Sequence, residues 1–198
     1  LLKIVDIAPE LPGAQEFIRQ AKDLATVSIA HTDSDYDHAK AACDAGVTHL
    51  THLYNAMPSI SHRAPGVIPA AAENENVQAE LICDGLHVHP AAVRLAFRMF
   101  KNRIVLVSDS GRCCGLPDGT EFDIGGQTAT LIQGVARLGN GTIACSATNL
   151  YDCMVNAMRF QIPEAEAVRA ASYNPAKALG VQNEVGSIAE GMVADFLV

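Results

Sequence analysis

Five short apolar runs, each leading to an ionisable or metal-binding residue, constrain the fold of this 198-residue chain more than any other feature. Residues 4–7 lead to Glu10, 27–30 to His31, 47–51 to His52, 79–83 to Asp84 and His87, and 103–108 to Asp109. The runs start roughly 20 to 35 residues apart, the spacing of βαβ crossovers rather than of hairpins. Continuous β-branched runs suit strands buried on both faces of a parallel sheet. Between them the sequence predicts helices. Phe17, Ile18, Ala21 and Leu24 share a face over 15–25, and Asp33 or Asp35 can cap a helix that Gly46 stops. A short helix follows from about Pro69 to Glu75, and Pro90 can open one that reaches Phe100. Strand alternating with helix implies an α/β fold. Polar groups at five equivalent strand ends imply the wall of a parallel barrel, whose active site is built where strands end.

After Asp109 the pattern changes. GLPDG, residues 122–124, GGQ, residues 128–132 and RLGNGTIA read as turns and antiparallel hairpins, a β insertion over 121–145. Helices return at about 148–160 and 163–172 and in NPAKALG, within a helical segment 146–180, and 181–198 is expected to go back to strand.

Close to half of the residues are apolar, so a real core can form, and the net charge of -8 argues against non-specific nucleic-acid binding. The six cysteines show no CxxC spacing, and several sit in apolar runs as small hydrophobes do, while Cys113 and Cys114 form a vicinal pair in a loop. No signal sequence or bilayer-length apolar run is present, so a cytoplasmic location without membrane partners is expected. The chain starts and stops on strand-like runs, as a piece of a larger domain would.

Two neutral imidazoles on adjacent strands, His31 and His52, can hold Zn²⁺ or a similar divalent ion, though a catalytic site usually needs a third protein ligand. Asp109 is placed to take a proton from water activated there. The other histidines read as structural: His38 lies on a helix, strand alternation turns His49 away from His52, and His62 and His89 sit beside motif residues.

AHT at 30–32, THLYNAM at 51–57, HRAPG at 62–66, DGLHVHP at 84–90 and VSDS at 107–110 resemble the N-acetylglucosamine-6-phosphate deacetylases, metal-dependent amidohydrolases. LGNGTIACSATNL and NPAKALG extend the likeness over essentially the whole chain. The resemblance implies part of a TIM (β/α)8 barrel, about strands 4 to 8, over 1–120, with a small β-sandwich domain whose return begins at 181–198. It implies hydrolysis of the acetamide of N-acetylglucosamine 6-phosphate to glucosamine 6-phosphate and acetate. Carried over by motif, His31 and His52 would be metal ligands, for Zn above Fe, Mn or Co, and Asp109 the general acid/base. His87 would contact the sugar and polarise the carbonyl, and Asn55 and the backbone of Ala56 would contact the phosphate. Arg63 would bind phosphate from across a homodimer interface.

The family's HxH and HLEGP segments are absent, Cys145 stands where the IAGS segment has Gly, and GRCCG departs from the usual residues after SDS. Glu10 is therefore read as supporting or structural, and the chain as a C-terminal portion, inactive alone. Two rivals are another cyclic amidohydrolase, dihydroorotase-like or deaminase-like, which would lack HLYNAM and Arg63, and a non-catalytic truncated barrel acting by association.

Overall fold

The computed structural model describes residues 2–197. Strands β1 (Ile4–Ile7), β2 (Thr26–Ile29), β3 (His49–Leu50), β4 (Gln78–Ile82) and β5 (Ile104–Val107) form one parallel sheet in sequential order. Helices α1 (Ala14–Ala21), α2 (Tyr36–Ala45), α3 (Val67–Glu73) and α4 (Pro90–Phe100) connect them in turn. Neighbouring strands are thus also consecutive in sequence, and every strand ends on the same side of the sheet.

Local chemistry explains the helix limits. The Asp35 carboxylate accepts the His38 N–H at 2.8 Å as the cap of α2, and Gly46, with φ 137, ends it in a conformation that L side chains rarely adopt. Pro90 takes the first turn of α4, where its missing N–H costs nothing. Helix α1 stops at Ala21, short of the expected 25, because the chain must turn back to pair Thr26 with Ile4; Leu24 is consequently exposed.

The two faces of the sheet differ. Val27, Ile29, Leu50, Leu81, Ile104 and Leu106 pack against Ile18, Ile68, Val93, Phe97 and Phe100 of the helices in the main core. In register on the opposite face, Asp6 pairs with Ser28 and Ser28 with His49, and Glu80 pairs with Val105. Polar groups on that face bond to one another: Ser28 Oγ lies 2.7 Å from Thr51 Oγ1, which donates to Asp6 at 2.9 Å.

Residues β6 (Glu121–Ile124), β7 (Gln127–Ile132), β8 (Val135–Leu138) and β9 (Ile143–Ser146) form the expected antiparallel element as a four-stranded meander. Its first turn uses Gly125 and Gly126, both at positive φ, which the right-handed twist of a tight hairpin demands. Its small core contains Cys113, Ala129, Leu131, Ala136 and Cys145.

Helices α5 (Leu150–Arg159), α6 (Glu164–Ala171) and α7 (Tyr173–Ala178) follow. Helix α7 lies under the starting ends of the strands: Asn174 Nδ2 donates to Ile104 O at 2.6 Å, Gln78 Nε2 to Asn174 O at 3.2 Å, and Thr26 Oγ1 to Ala178 O at 3.0 Å. This leaves the opposite end for the site. The strand expected in 181–198 does not form among the described residues: 181–197 is turns and irregular chain. A strand needs a paired neighbour, and here Val185, Ile188 and Val193 face the helix residues Leu150, Met154 and Val168 across an apolar groove instead.

Candidate active site

Each loop beyond a strand of the sheet carries a polar group, and the loops after β2 and β3 bring two of them together. His31 Nε2 and His52 Nε2 lie 2.9 Å apart, with the rings edge to face at 77°. The Thr32 N–H donates to Ala56 O at 3.0 Å and ties the two loops. His52 is buried while His31 reaches solvent, so the pair opens outward.

Both histidines sit at positive φ, His31 at 44° and His52 at 32°, as do Tyr54, Ala56 and Asp109. Left-handed backbone at a non-glycine residue costs roughly 1–3 kcal/mol each. Five of the eight such residues among the described residues stand at this end of the sheet, so the strain is concentrated where the polar groups converge. It also bears on the expected alternation between His49 and His52. Strand β3 ends at Leu50, and His52 lies beyond it in left-handed backbone, so the period-two rule does not relate the two rings. His49 is buried against Glu80, Nε2 to Oε1 at 3.1 Å, and the other Glu80 oxygen accepts the His52 N–H at 3.3 Å.

Carboxylates brace the remaining loops. Glu10 accepts the Thr32 hydroxyl at 2.5 Å and the Asp33 N–H at 2.8 Å, supporting the chain just past His31. Burial alone would raise its carboxyl, and these bonds bring it below the ordinary range. Asp84 accepts the Leu86 and His87 N–H groups and meets His87 Nδ1 at 2.6 Å. Burial pushes the Asp84 carboxyl up, but the His87 ring and the two amides outweigh it and hold the carboxyl low. Fixing Nδ1 in this way leaves Nε2 of His87 for a ligand.

Asp109, in the loop after β5, is open to solvent yet ringed by enough protein to lift its carboxyl above the ordinary range. The desolvation of the charged form outweighs the favourable fields of His52, His87 and His31, while Glu80 adds to the rise. Its loop is held by the meander: Ser146 N–H donates to Asp109 O at 3.0 Å, Gly111 N–H to Ser146 O at 3.0 Å, and Ser146 Oγ to Ser108 O.

Asn55 lies in the turn after His52, but its Nδ2 is engaged by the carbonyls of His52 and Leu53, both at 3.2 Å, whereas Ala56 is exposed. Arg63 lines a different groove, with Asp33, Asp35, Asp37 and Pro58, and is exposed there. The site residue that sequence reasoning missed is Glu80. Its signal is a carboxylate between the apolar residues Ala79 and Leu81 of β4.

Two bare imidazole nitrogens at 2.9 Å repel unless one carries a proton or a cation sits between them, and imidazole is a preferred donor for borderline divalent ions. The pair thus fits a metal as two of its ligands. Among the described residues no group of three or more His, Cys, Asp or Glu side chains could hold one.

The chain belongs to the amidohydrolase family, whose model matches residues 8–198. Within that family its similarity is to amino-sugar phosphate deacetylases. It is 38% identical to the N-acetylglucosamine-6-phosphate deacetylase of Bacillus subtilis, over 100% of this chain and 50% of the relative. It is 36% identical to the N-acetylgalactosamine-6-phosphate deacetylase of Escherichia coli O157:H7, over 96% of this chain and 51% of the relative. A mutant N-acetyl-D-glucosamine-6-phosphate deacetylase from Mycobacterium smegmatis, solved with N-acetyl-D-glucosamine-6-phosphate, superposes with a TM-score of 0.92 at 36% identity, covering 98% of this chain and 52% of that one. The chain therefore has the α/β amidohydrolase fold and spans about half the length of the relatives it matches. No described helix is long and apolar enough to cross a membrane.

Proposed function

We propose that the protein containing this chain hydrolyses the acetamide of N-acetylglucosamine 6-phosphate to glucosamine 6-phosphate and acetate in the cytoplasm. The observation that carries this reading is the meeting of His31 with His52 at the ends of adjacent parallel strands, with Asp109 and His87 near enough to interact electrostatically. Similarity to deacetylases of two phosphorylated amino sugars supports the substrate class. Family membership supports a divalent ion, for which His31 and His52 are the ligands this chain offers, with Zn favoured by the imidazole donors. When bound, such an ion supplies Lewis acidity toward water and the amide carbonyl.

Each remaining step falls to a named side chain. Asp109 takes the proton of the attacking water and returns it to the departing amine, a role suited to a carboxyl raised above its ordinary range. His87 polarises the acetamide carbonyl through Nε2, its ring held at Nδ1 by the Asp84 carboxylate. The turn at Asn55 and Ala56 receives the 6-phosphate, chiefly through the Ala56 backbone, because the Asn55 amide is already bonded within the turn. The exposed Arg63 serves a neighbouring subunit's phosphate in a homodimer, its planar fork matching phosphate oxygens.

The parallel sheet is read as about strands 4 to 8 of an eight-stranded barrel over 1–120. Residues 121–145 are the insertion, 146–180 the closing helices, and 181–198 the passage toward a small β-sandwich.

The test is acetate release by the whole protein from N-acetylglucosamine 6-phosphate, its galacto epimer and unphosphorylated N-acetylglucosamine. The gluco phosphate should turn over fastest. Faster release from the galacto epimer would transfer the assignment to that sugar, in keeping with the second relative.

A further inference from the structure

We propose that Glu80 is the positioning residue of the histidine pair: gripping the His52 backbone with one carboxylate oxygen and anchored on His49 by the other, it sets the left-handed turn that aims His52 at His31. This rests on the reading of His31 and His52 as metal ligands.

The hydrogen-bonding ladder between β3 and β4 ends with Leu50 opposite Ala79. Beyond it, Glu80 carries the hydrogen bonds that continue the connection. Its backbone carbonyl accepts the Leu53 N–H at 2.8 Å, and its Oε2 accepts the His52 N–H at 3.3 Å. Two successive amides of the turn thus end on one residue, at the point where His52 adopts φ 32°. Left-handed backbone persists at a non-glycine residue only when its surroundings over-determine it, and these two bonds are such a constraint.

The carboxylate is itself fixed. His49, whose side chain is 1% exposed, meets Oε1 at 3.1 Å, so Glu80 cannot swing away from the turn without leaving a buried imidazole unpaired. A carboxylate in the middle of a buried strand is costly, and the neighbours of β4 in sequence, Gln78, Ala79, Leu81 and Ile82, carry no charge. Glu80 bonds the backbone of His52 and the ring of His49, not the His52 ring, so it acts through the ligand's orientation. Partners that orient a ligand in this way typically change metal affinity 10–100-fold when removed.

The test compares zinc affinity, by competition with a chromogenic chelator, with the thermal midpoint of the metal-free form, for the whole protein and its variants. Glu80→Met keeps the side-chain length but deletes both acceptors, and should weaken zinc binding about 10–100-fold. Glu80→Gln keeps a carbonyl for His52 and an amide for His49, and should bind within about threefold of the parent. His49→Gln, which loosens the anchor only, should fall between them and keeps the question answerable if Glu80→Met fails to fold. Parental zinc affinity in Glu80→Met, or in His49→Gln if that variant alone folds, would overturn the proposal even if the thermal midpoint drops, since Glu80 would then only fill space. Failure of the parent itself to bind zinc would overturn the metal reading beneath it, and the proposal with it.

Discussion

The loops after β2 and β3 and the loop after β5 deliver their reactive groups to one end of the same sheet, but they are braced by different parts of the molecule. His31 and His52 are held by the parallel sheet and the turn that follows its first strand, by Glu10 through Thr32 and Asp33 and by Glu80 through the His52 amide. Asp109 is held from outside it, by Ser146 at the end of the inserted meander. The difference teaches that the metal-binding and proton-transfer halves of the proposed site rest on separate supports. One half should therefore be adjustable without the other.

The sharpest way to break that separation is Asp109→Asn. Turnover should fall by about 10²–10⁴, the range for a positioned acid/base, while zinc content measured by atomic absorption stays at the parental level. Loss of zinc in this variant would join the halves. Asp84→Asn removes the negative charge beside His87 and should cost about 10–100-fold in kcat, the worth of a charged hydrogen bond of roughly 1.5–3 kcal/mol. The same variant has a signature in pH. The Asp84 carboxyl is held below its unfolded value, so its stabilisation is complete above the ordinary carboxylate range and is lost as pH falls through the lowered value. Acid unfolding of Asp84→Asn should therefore lack that part of the drop seen in the parent.

Arg63→Ala tests the groove away from both halves. It should raise KM for the phosphorylated sugar by about tenfold, on the scale of one charge-assisted bond, and leave the unphosphorylated sugar nearly unchanged. Equal losses for both sugars would remove Arg63 from phosphate recognition. Ser146→Ala should be the mildest, lowering stability by about 1 kcal/mol and kcat by about threefold through a looser Asp109 loop, with zinc affinity unmoved. A change in zinc affinity here would show that the meander also supports the histidines.

What was legible in the sequence follows the same division. His31, His52 and Asp109 could be placed because each closes a short apolar run, a signal carried by adjacent residues. Asp35, Gly46 and Pro90 mark helix limits for equally local reasons. Glu80 could not be placed, since its partners His49 and His52 lie 31 and 28 residues away and depend on strand register. Ser146 escaped notice because its role needs the meander to return to the end of β5. The segment 181–197 has strand-like composition, but composition supplies no paired edge, and in the fold it meets helices. His49 has the structural role expected of it, buried against Glu80, although alternation itself does not reach His52, which lies beyond the end of β3.

The most direct test of the central claim is acetate release from N-acetylglucosamine 6-phosphate by the whole protein, measured before chelation, after removal of metal and after zinc is restored, beside His52→Ala. Activity should vanish with the metal and return with zinc in the parent, and should not return in His52→Ala, which loses half of the imidazole pair. A metal-free parent that still releases acetate at the original rate, or a His52→Ala variant that zinc restores fully, would contradict it.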